Sequence, residues 1–272
     1  MIKLVAIDLD GTLLNSKKEI SLRNKETLKK AKAAGIKVVI CTGRPLKAIH
    51  HILEELNLEE AGDYSVTFNG GLVQKNDTAE IMEKKALTLD EVKRIYEVVQ
   101  PLALPLDVIS DGIVLQLPSV NESLYAKANP VLTFEKAELS DLTEDMIFNK
   151  CISAAEAEFL DNQSLKFPKE LYDEFEIIKS RDILLEFMPK GVTKAYGIEL
   201  LAKDLGIKQS EIMAIGDEEN DLPMIEYAKI GVAMKNAVPM IKVAATVETD
   251  TNENDGVAKA IEKYILEPLG MN

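Results

Sequence analysis

The sequence predicts an α/β fold: a parallel sheet with covering helices, interrupted by an inserted α+β block. Three observations carry this. Short apolar runs rich in β-branched residues alternate with helical stretches at both ends of the chain. The stretch between them changes texture to helices and hairpins. The polar residues with chemical potential gather where the apolar runs end.

Residues 2–7 and 36–41 (Ile-Lys-Val-Val-Ile-Cys) read as buried strands. Between them lies a helix over 21–34, with Ser21 as N-cap, Leu28 and Ala31 on one face, and Gly35 just past its end. A helix around 46–56 and a strand at 64–68 complete a βαβαβ pattern, which implies parallel strands with right-handed crossovers. The rhythm returns near the end: a helix over 193–205 closed by Gly206, a strand at 212–215, a helix over 220–228 and a strand at 230–233. In the middle, Thr88-Leu-Asp-Glu91 forms a capping box for a helix that stops at Pro101. Residues 106–110 and 113–117 read as a hairpin around an Asp111-Gly112 turn of type I′. A helix at 154–167 and strands at 175–179 and 183–187 follow. The expected division is therefore one discontinuous domain, 1–83 with 188–272, and an inserted domain over 84–187.

Composition narrows function. The chain has 272 residues, 46% of them hydrophobic and 29% charged, the balance of a globular protein. A formal net charge of −14 without a basic block argues against a nucleic-acid or anionic-membrane partner. The first apolar run is too short for a signal peptide, and none is long enough to span a bilayer. Cys41 and Cys151 stand far apart with no Cys-x-x-Cys spacing, which fits a reducing cytoplasm better than a disulfide framework or a thiolate zinc site.

Four groups of residues could do chemistry. Asp8-Leu9-Asp10-Gly11-Thr12 leaves the first strand; because extended side chains alternate, Asp8 and Asp10 project the same way, and two converging carboxylates invite a cation. Thr42-Gly43-Arg44 ends the second strand with a hydroxyl and a glycine whose backbone N–H can approach a phosphate oxygen closely, the alternative being Thr42 as a helix N-cap with Gly43 in the turn. Lys194 opens a helix, where a cation opposes the helix dipole and needs a compensating anion; Lys190 competes for this role, and spacing does not choose between them. Gly216-Asp217-Glu218-Glu219-Asn220-Asp221 follows a strand, with acidic residues that could bind an ion or simply complement a helix N-terminus. All four fall at the carboxyl edge of the expected sheet, where open α/β folds bind ligands. No P-loop or dinucleotide fingerprint is present.

In this order, Asp8-x-Asp10-Gly11-Thr12, Thr42-Gly43-Arg44, Lys194 and Gly216-Asp217-x-x-Asn220-Asp221 resemble the motifs of the haloacid dehalogenase superfamily of phosphohydrolases. The long insertion together with Phe68-Asn69-Gly70 is similar to the Cof-type branch with a C2B cap, which includes sugar-phosphate phosphatases. The resemblance implies a Rossmann-like core with an inserted α+β cap that closes over the site and selects the leaving group. It implies Asp8 as nucleophile and Asp10 as general acid/base. Mg²⁺ would be held by the Asp8 side chain, the Asp10 carbonyl and Asp217. It selects Lys194 over Lys190 and implies that Lys194, Thr42, Asn220 and the N–H groups of Leu9 and Gly43 bind phosphate, that Asp221 holds Lys194, and that Arg44 reaches the substrate cavity. The expected substrate is a small phosphorylated metabolite; a mutase and a non-catalytic phosphate sensor are the alternatives, and monomer and homodimer are equally compatible with the sequence.

Overall fold

The computed structural model describes residues 1–110 and 112–271. Its strands, in chain order, are β1 (Leu4–Ile7), β2 (Lys37–Cys41), β3 (Tyr64–Thr67), β4 (Leu72–Lys75) and β5 (Ile81–Lys84). Then come β6 (Asp107–Ser110), β7 (Ile113–Gln116), β8 (Thr133–Lys136), β9 (Lys150–Ala154), β10 (Phe175–Arg181) and β11 (Leu184–Pro189). The last three are β12 (Ile212–Gly216), β13 (Ile230–Ala233) and β14 (Val247–Glu248). The chain divides into two compact units, residues 1–84 with 193–272, and residues 85–192.

The first unit is built on a sheet of order β14-β13-β12-β1-β2-β3-β4-β5. From β14 to β3 every neighbouring pair is parallel, and β4 and β5 extend the sheet by antiparallel pairing. β1 sits between β2 and β12, with Ile7 opposite both Ile40 and Ile215, so the strand order reverses direction here. At such a switch point the flanking connections diverge and leave a crevice beyond the carboxyl ends of the strands. Leu4, Val5, Ala6 and Ile7 are all buried, as expected of a strand covered on both faces.

The local signals acted as their chemistry predicts. The Ser21 hydroxyl accepts the Asn24 N–H at 3.1 Å at the start of the helix Leu22–Ala33, and Gly35 takes a left-handed φ of 83° beyond its end. Other expectations need correction. The expected helix at 220–228 begins as a 3₁₀ turn, Glu219–Asp221, and becomes α-helical only over Leu222–Tyr227, where Pro223 supplies no N–H to either. The β4–β5 hairpin, β14 and the closing helix Gly256–Ile261 are not anticipated, being short or lacking clear alternation.

The second unit carries a sheet of order β10-β11-β9-β6-β7-β8, antiparallel except for the β7–β8 pair. The Thr88 capping box forms: the Thr88 hydroxyl accepts the Glu91 N–H at 3.2 Å and the Glu91 carboxylate accepts the Thr88 N–H at 2.7 Å. The helix it opens, Leu89–Val99, buries Val92, Ile95 and Val99 in a core shared with Val108, Cys151 and Phe187. β6 and β7 pair with Ser110 opposite Ile113, while Asp111 of the expected turn lies outside the described residues. The expected helix at 154–167 is shorter, Ala157–Ser164, with Lys169–Glu174 a separate helix behind Pro168. β9 was hidden because its Lys150 looks like a surface residue, yet it is buried against Glu186 of β11 at 2.6 Å. No helix among the described residues is long and apolar enough to cross a membrane.

Ile40 is fully buried at the centre of the first sheet. Ile40→Ala is expected to lower the unfolding free energy by about 2–5 kcal/mol through lost burial and a residual cavity, measured by urea denaturation of the two proteins.

Candidate active site at the carboxyl edge of the sheet

β1, β2, β3 and β12 run in the same direction and end, respectively, at Asp8, Thr42, Phe68-Asn69 and Asp217. Backbone geometry fixes each arrival. Asp8 donates its N–H to the Ile215 carbonyl at 3.1 Å, continuing the ladder by one residue. The chain then turns: the N–H groups of Thr12 and Leu14 bond the Leu9 carbonyl, and Leu13 bonds that of Asp8. Gly11 adopts a φ of 85° in this turn, and a Cβ there would overlap the Asp217 carboxylate.

At the centre, the Lys194 ammonium lies 2.5 Å from Asp8 Oδ1 and 2.6 Å from Asp221 Oδ1, and the lysine is 0% exposed. Thr193 caps the helix that Lys194 opens by accepting the Tyr196 N–H at 3.3 Å. The two carboxylates supply the anion that a cation at a helix N-terminus needs. Asp221 is itself fixed, because its Oδ2 accepts the N–H groups of Asp217 at 2.8 Å and Glu218 at 3.0 Å. Asp217 accepts the Thr12 hydroxyl at 2.6 Å, and Asn236 bridges it to the Gly11 carbonyl.

Burial, only partly offset by Lys194 and reinforced by the charges of Asp221 and Asp10, pushes the Asp8 carboxyl up to about 7. Burial followed by repulsion from Asp8 and Asp221 raises Asp217 to about 8. Burial would strip Lys194 of its proton, but Asp221 and Asp8 outweigh it and hold the lysine above its ordinary value. Oxygens of Asp8, Asp217 and Asp221 all lie within 4.8 Å of one another, three buried carboxylates of which Asp8 and Asp221 hold the Lys194 ammonium. Both Asp221 oxygens are occupied by Lys194 and backbone N–H groups, whereas Asp8 and Asp217 keep acceptor capacity. This hard, oxygen-only donor set with excess negative charge fits a Mg²⁺ ion held by Asp8 and Asp217.

Asp10 is placed differently from the expected convergence with Asp8. Its carboxylate takes a two-pronged bond from Arg44, Nε to Oδ2 at 2.9 Å and Nη2 to Oδ1 at 2.6 Å, and a further bond from Lys18 at 2.7 Å. The alternation argument requires extended chain, and the turn after Asp8 removes it. Arg44 is thus committed to Asp10. Thr42 is not the N-cap of the following helix, which starts behind Pro45; its hydroxyl accepts the Arg44 N–H at 3.2 Å. Asn220 donates to the Asn69 side chain at 3.1 Å, and a Cβ on Gly43 would stand 3.1 Å from that same amide. Leu9 lies buried in the turn after Asp8, and Lys190, the competing lysine, reaches the Tyr172 carbonyl in the second unit at 2.7 Å.

A profile of haloacid dehalogenase-like hydrolases matches residues 5–261. The chain belongs to this family. YxeH of Bacillus subtilis is 35% identical to this haloacid dehalogenase-like hydrolase over 269 residues, covering 98% of this chain and 99% of its own. The 5-amino-6-(5-phospho-D-ribitylamino)uracil phosphatase YcsE of the same organism is 32% identical, with 97% and 96% covered. Among solved structures, the HAD subclass IIB sugar phosphatase BT4131 superposes with a TM-score of 0.81 at 26% identity, covering 96% of this chain and 98% of its own.

The sequence marks Asn69 only as part of Phe68-Asn69-Gly70, with no role in the site, and does not single out Lys18 or Asn236. Phe68, Asn69 and Gly70 all take positive φ values, 50°, 53° and 102°, forming a left-handed turn that aims the buried Asn69 side chain at Asn220. The Asn69-Gly70 pair signals a turn, but nothing local shows that a Cβ at Gly70 would overlap the Thr193 carbonyl and displace the start of the Lys194 helix. Lys18 and Asn236 carry no local signal at all.

The raised carboxyls set a pH dependence for the hydrolase without metal. Below about 4, folded and unfolded Asp8 and Asp217 are both protonated; as pH rises, the unfolded chain ionises first while the fold retains its protons up to about 7 to 8. Stability of the chelator-treated protein is expected to fall across this window by roughly a few kcal/mol. The fall should be shallower in Asp217→Asn, as read by denaturant titrations at pH 5 and pH 8.

Proposed function

We propose that this hydrolase is a Mg²⁺-dependent phosphatase of small phosphorylated metabolites, with sugar phosphates as the substrate class. The observation that carries the reading is the Asp8 carboxylate, held by the buried Lys194 beside Asp217 at the crevice of the sheet, with Asp10 two residues on. The names of two relatives support the substrate class, one a sugar phosphatase and the other a phosphatase of a phospho-ribityl compound. Two free, buried cysteines fit action in a reducing cytoplasm.

In this mechanism Asp8 attacks phosphorus, the bond from phosphorus to the leaving oxygen breaks, and Asp10 supplies that oxygen with a proton. Asp10 then takes a proton from water, which attacks the aspartyl-phosphate, releases phosphate and restores Asp8. Both proton transfers require Asp10 to leave its pairing with Arg44 and Lys18. Lys194 neutralises phosphoryl oxygens, Thr42 and the N–H groups of Leu9 and Gly43 donate to them, and Asn220, positioned by Asn69, borders the same place. Mg²⁺, held by the Asp8 and Asp217 side chains and the Asp10 carbonyl, supplies positive charge that offsets repulsion between the substrate and the buried carboxylates. The inserted unit, residues 85–192, is assigned the choice of leaving group.

Phosphate release from an aryl phosphate and a panel of sugar phosphates should require Mg²⁺, stop with chelator, and fall at least about 10³-fold in Asp8→Asn. Metal-independent release, or substantial turnover by the variant, overturns the assignment. Asp10→Asn should lose more activity on alkyl than on aryl phosphates, because the poorer leaving group depends more on protonation. Equal losses on both count against the acid role. Added acceptor alcohols should not suppress phosphate release; an isomerised sugar phosphate in its place would reveal a mutase.

A further inference from the structure

A cavity of about 590 Å³ opens within the second unit and uses none of the residues assigned to phosphoryl transfer. It lies beside the first residue of β6 and beyond the ends of β7 and β8, and Asp107 lines it although that residue is only 1% exposed. The Asp107 carboxylate accepts the Ser123 hydroxyl on Oδ2 and the Gln116 side-chain amide on Oδ1 at 3.2 Å. Both donors are neutral, and a carboxylate has about four acceptor positions, so capacity is left over.

Burying a carboxylate without a cation is costly, and elsewhere in this sheet the cost is met. Glu186 on β11 has the ammonium of Lys150 at 2.6 Å and the Ser180 hydroxyl at 2.6 Å. Among the described residues Asp107 has no such partner: Lys127 and Lys136 also line the cavity, but neither pairs with it. Burial pushes the Asp107 carboxyl up to about 6, so at neutral pH it is ionised and still lacks a counter-charge. A second unmet demand lies in the same wall. The Ser119 hydroxyl is shielded from solvent and has no hydrogen-bond partner among the described residues. Such groups are rare in native structures, and one that borders a cavity points to a missing partner. Glu122, Glu138 and Asp141 also line the cavity, so that its carboxylates outnumber its two lysines. A metal ion is a poorer answer, because among the described residues the only group of three or more potential acidic, histidine or cysteine ligands is Asp8, Asp217 and Asp221.

We propose that this cavity binds a small hydroxylated primary amine of the amino-sugar class, its ammonium pairing with Asp107 and a hydroxyl engaging Ser119. The volume lies in the range of small-molecule sites and leaves room for a hydroxylated ring with its water. The ammonium donates to the unused lone pairs of Asp107, while Ser123 and Gln116 keep the carboxylate in place.

The test is calorimetric titration of the full chain with D-glucosamine, N-acetyl-D-glucosamine and D-glucose. Glucosamine should bind with one-to-one stoichiometry and at least about tenfold more tightly than the two neutral sugars, the advantage of a charge-assisted bond. Asp107→Asn, which keeps the shape and removes the charge, should erase that advantage. Ser119→Ala, which deletes an unpaired hydroxyl and leaves folding undisturbed, should weaken glucosamine binding about two- to tenfold. Asp8→Asn should leave it unchanged. The proposal is overturned if glucosamine does not bind, if the neutral sugars bind equally well, or if both cavity variants bind like the parent. Loss of binding in Asp8→Asn also overturns it, by locating the amine in the phosphoryl-transfer site.

Discussion

The arrangement of the crevice at the carboxyl edge of the sheet depends on one buried cation. Lys194 has no contact with solvent, and an ammonium removed from water is tolerated only where carboxylates replace its hydration. Asp8 and Asp221 do so at hydrogen-bonding distance. Because these residues come from the end of β1, the start of a helix 186 residues later and the turn after β12, the ion pairs draw three distant segments to one point. Moving any of the three segments would strand a buried charge, so the lysine fixes the geometry of the site as well as its electrostatics.

Close backbone approach supports that point from the outside. Gly11 allows the turn after Asp8 to pass against the Asp217 carboxylate, and Gly70 allows the left-handed turn after β3 to touch the residue that caps the Lys194 helix. With Asp217 held by Thr12 and Asn236, and Asn220 by Asn69, the polar side chains around Lys194 are fixed by one another before any substrate arrives. Such preorganisation is what lets fixed charges and dipoles act on a phosphoryl group without reorganising during reaction. Burial first, and then repulsion among the neighbouring carboxylates, raises the Asp8 and Asp217 carboxyls, and the negative charge left uncompensated there suits a hard cation.

The second unit treats buried charge in two ways. Lys150 and Glu186 pair directly, with the Ser180 hydroxyl on the same carboxylate, so the buried acid has its counter-charge within the fold. Asp107, on a neighbouring strand, is supported by neutral donors only and borders open space. The contrast within one sheet separates a carboxylate that completes the fold from one with capacity for a ligand.

The sequence by itself determined the parallel core of this haloacid dehalogenase-like hydrolase. β-branched runs, the Ser21 and Thr88 caps and the glycines closing helices are local signals, and they act through nearest-neighbour sterics and hydrogen bonds that tertiary context did not override. It also placed Asp8, Thr42, Lys194 and Asp217 at strand or helix ends, since each sits directly after an apolar run or a capping residue. Only the tertiary structure decided which side chains meet. That Asp10 faces Arg44 and Lys18, that Asn69 reaches Asn220, and that Lys150 is a core residue all depend on partners far along the chain or on a turn that ends strand alternation. Pairings of this kind are set by the packing of whole sheets and by the need to compensate buried charge, and no short window of residues encodes either.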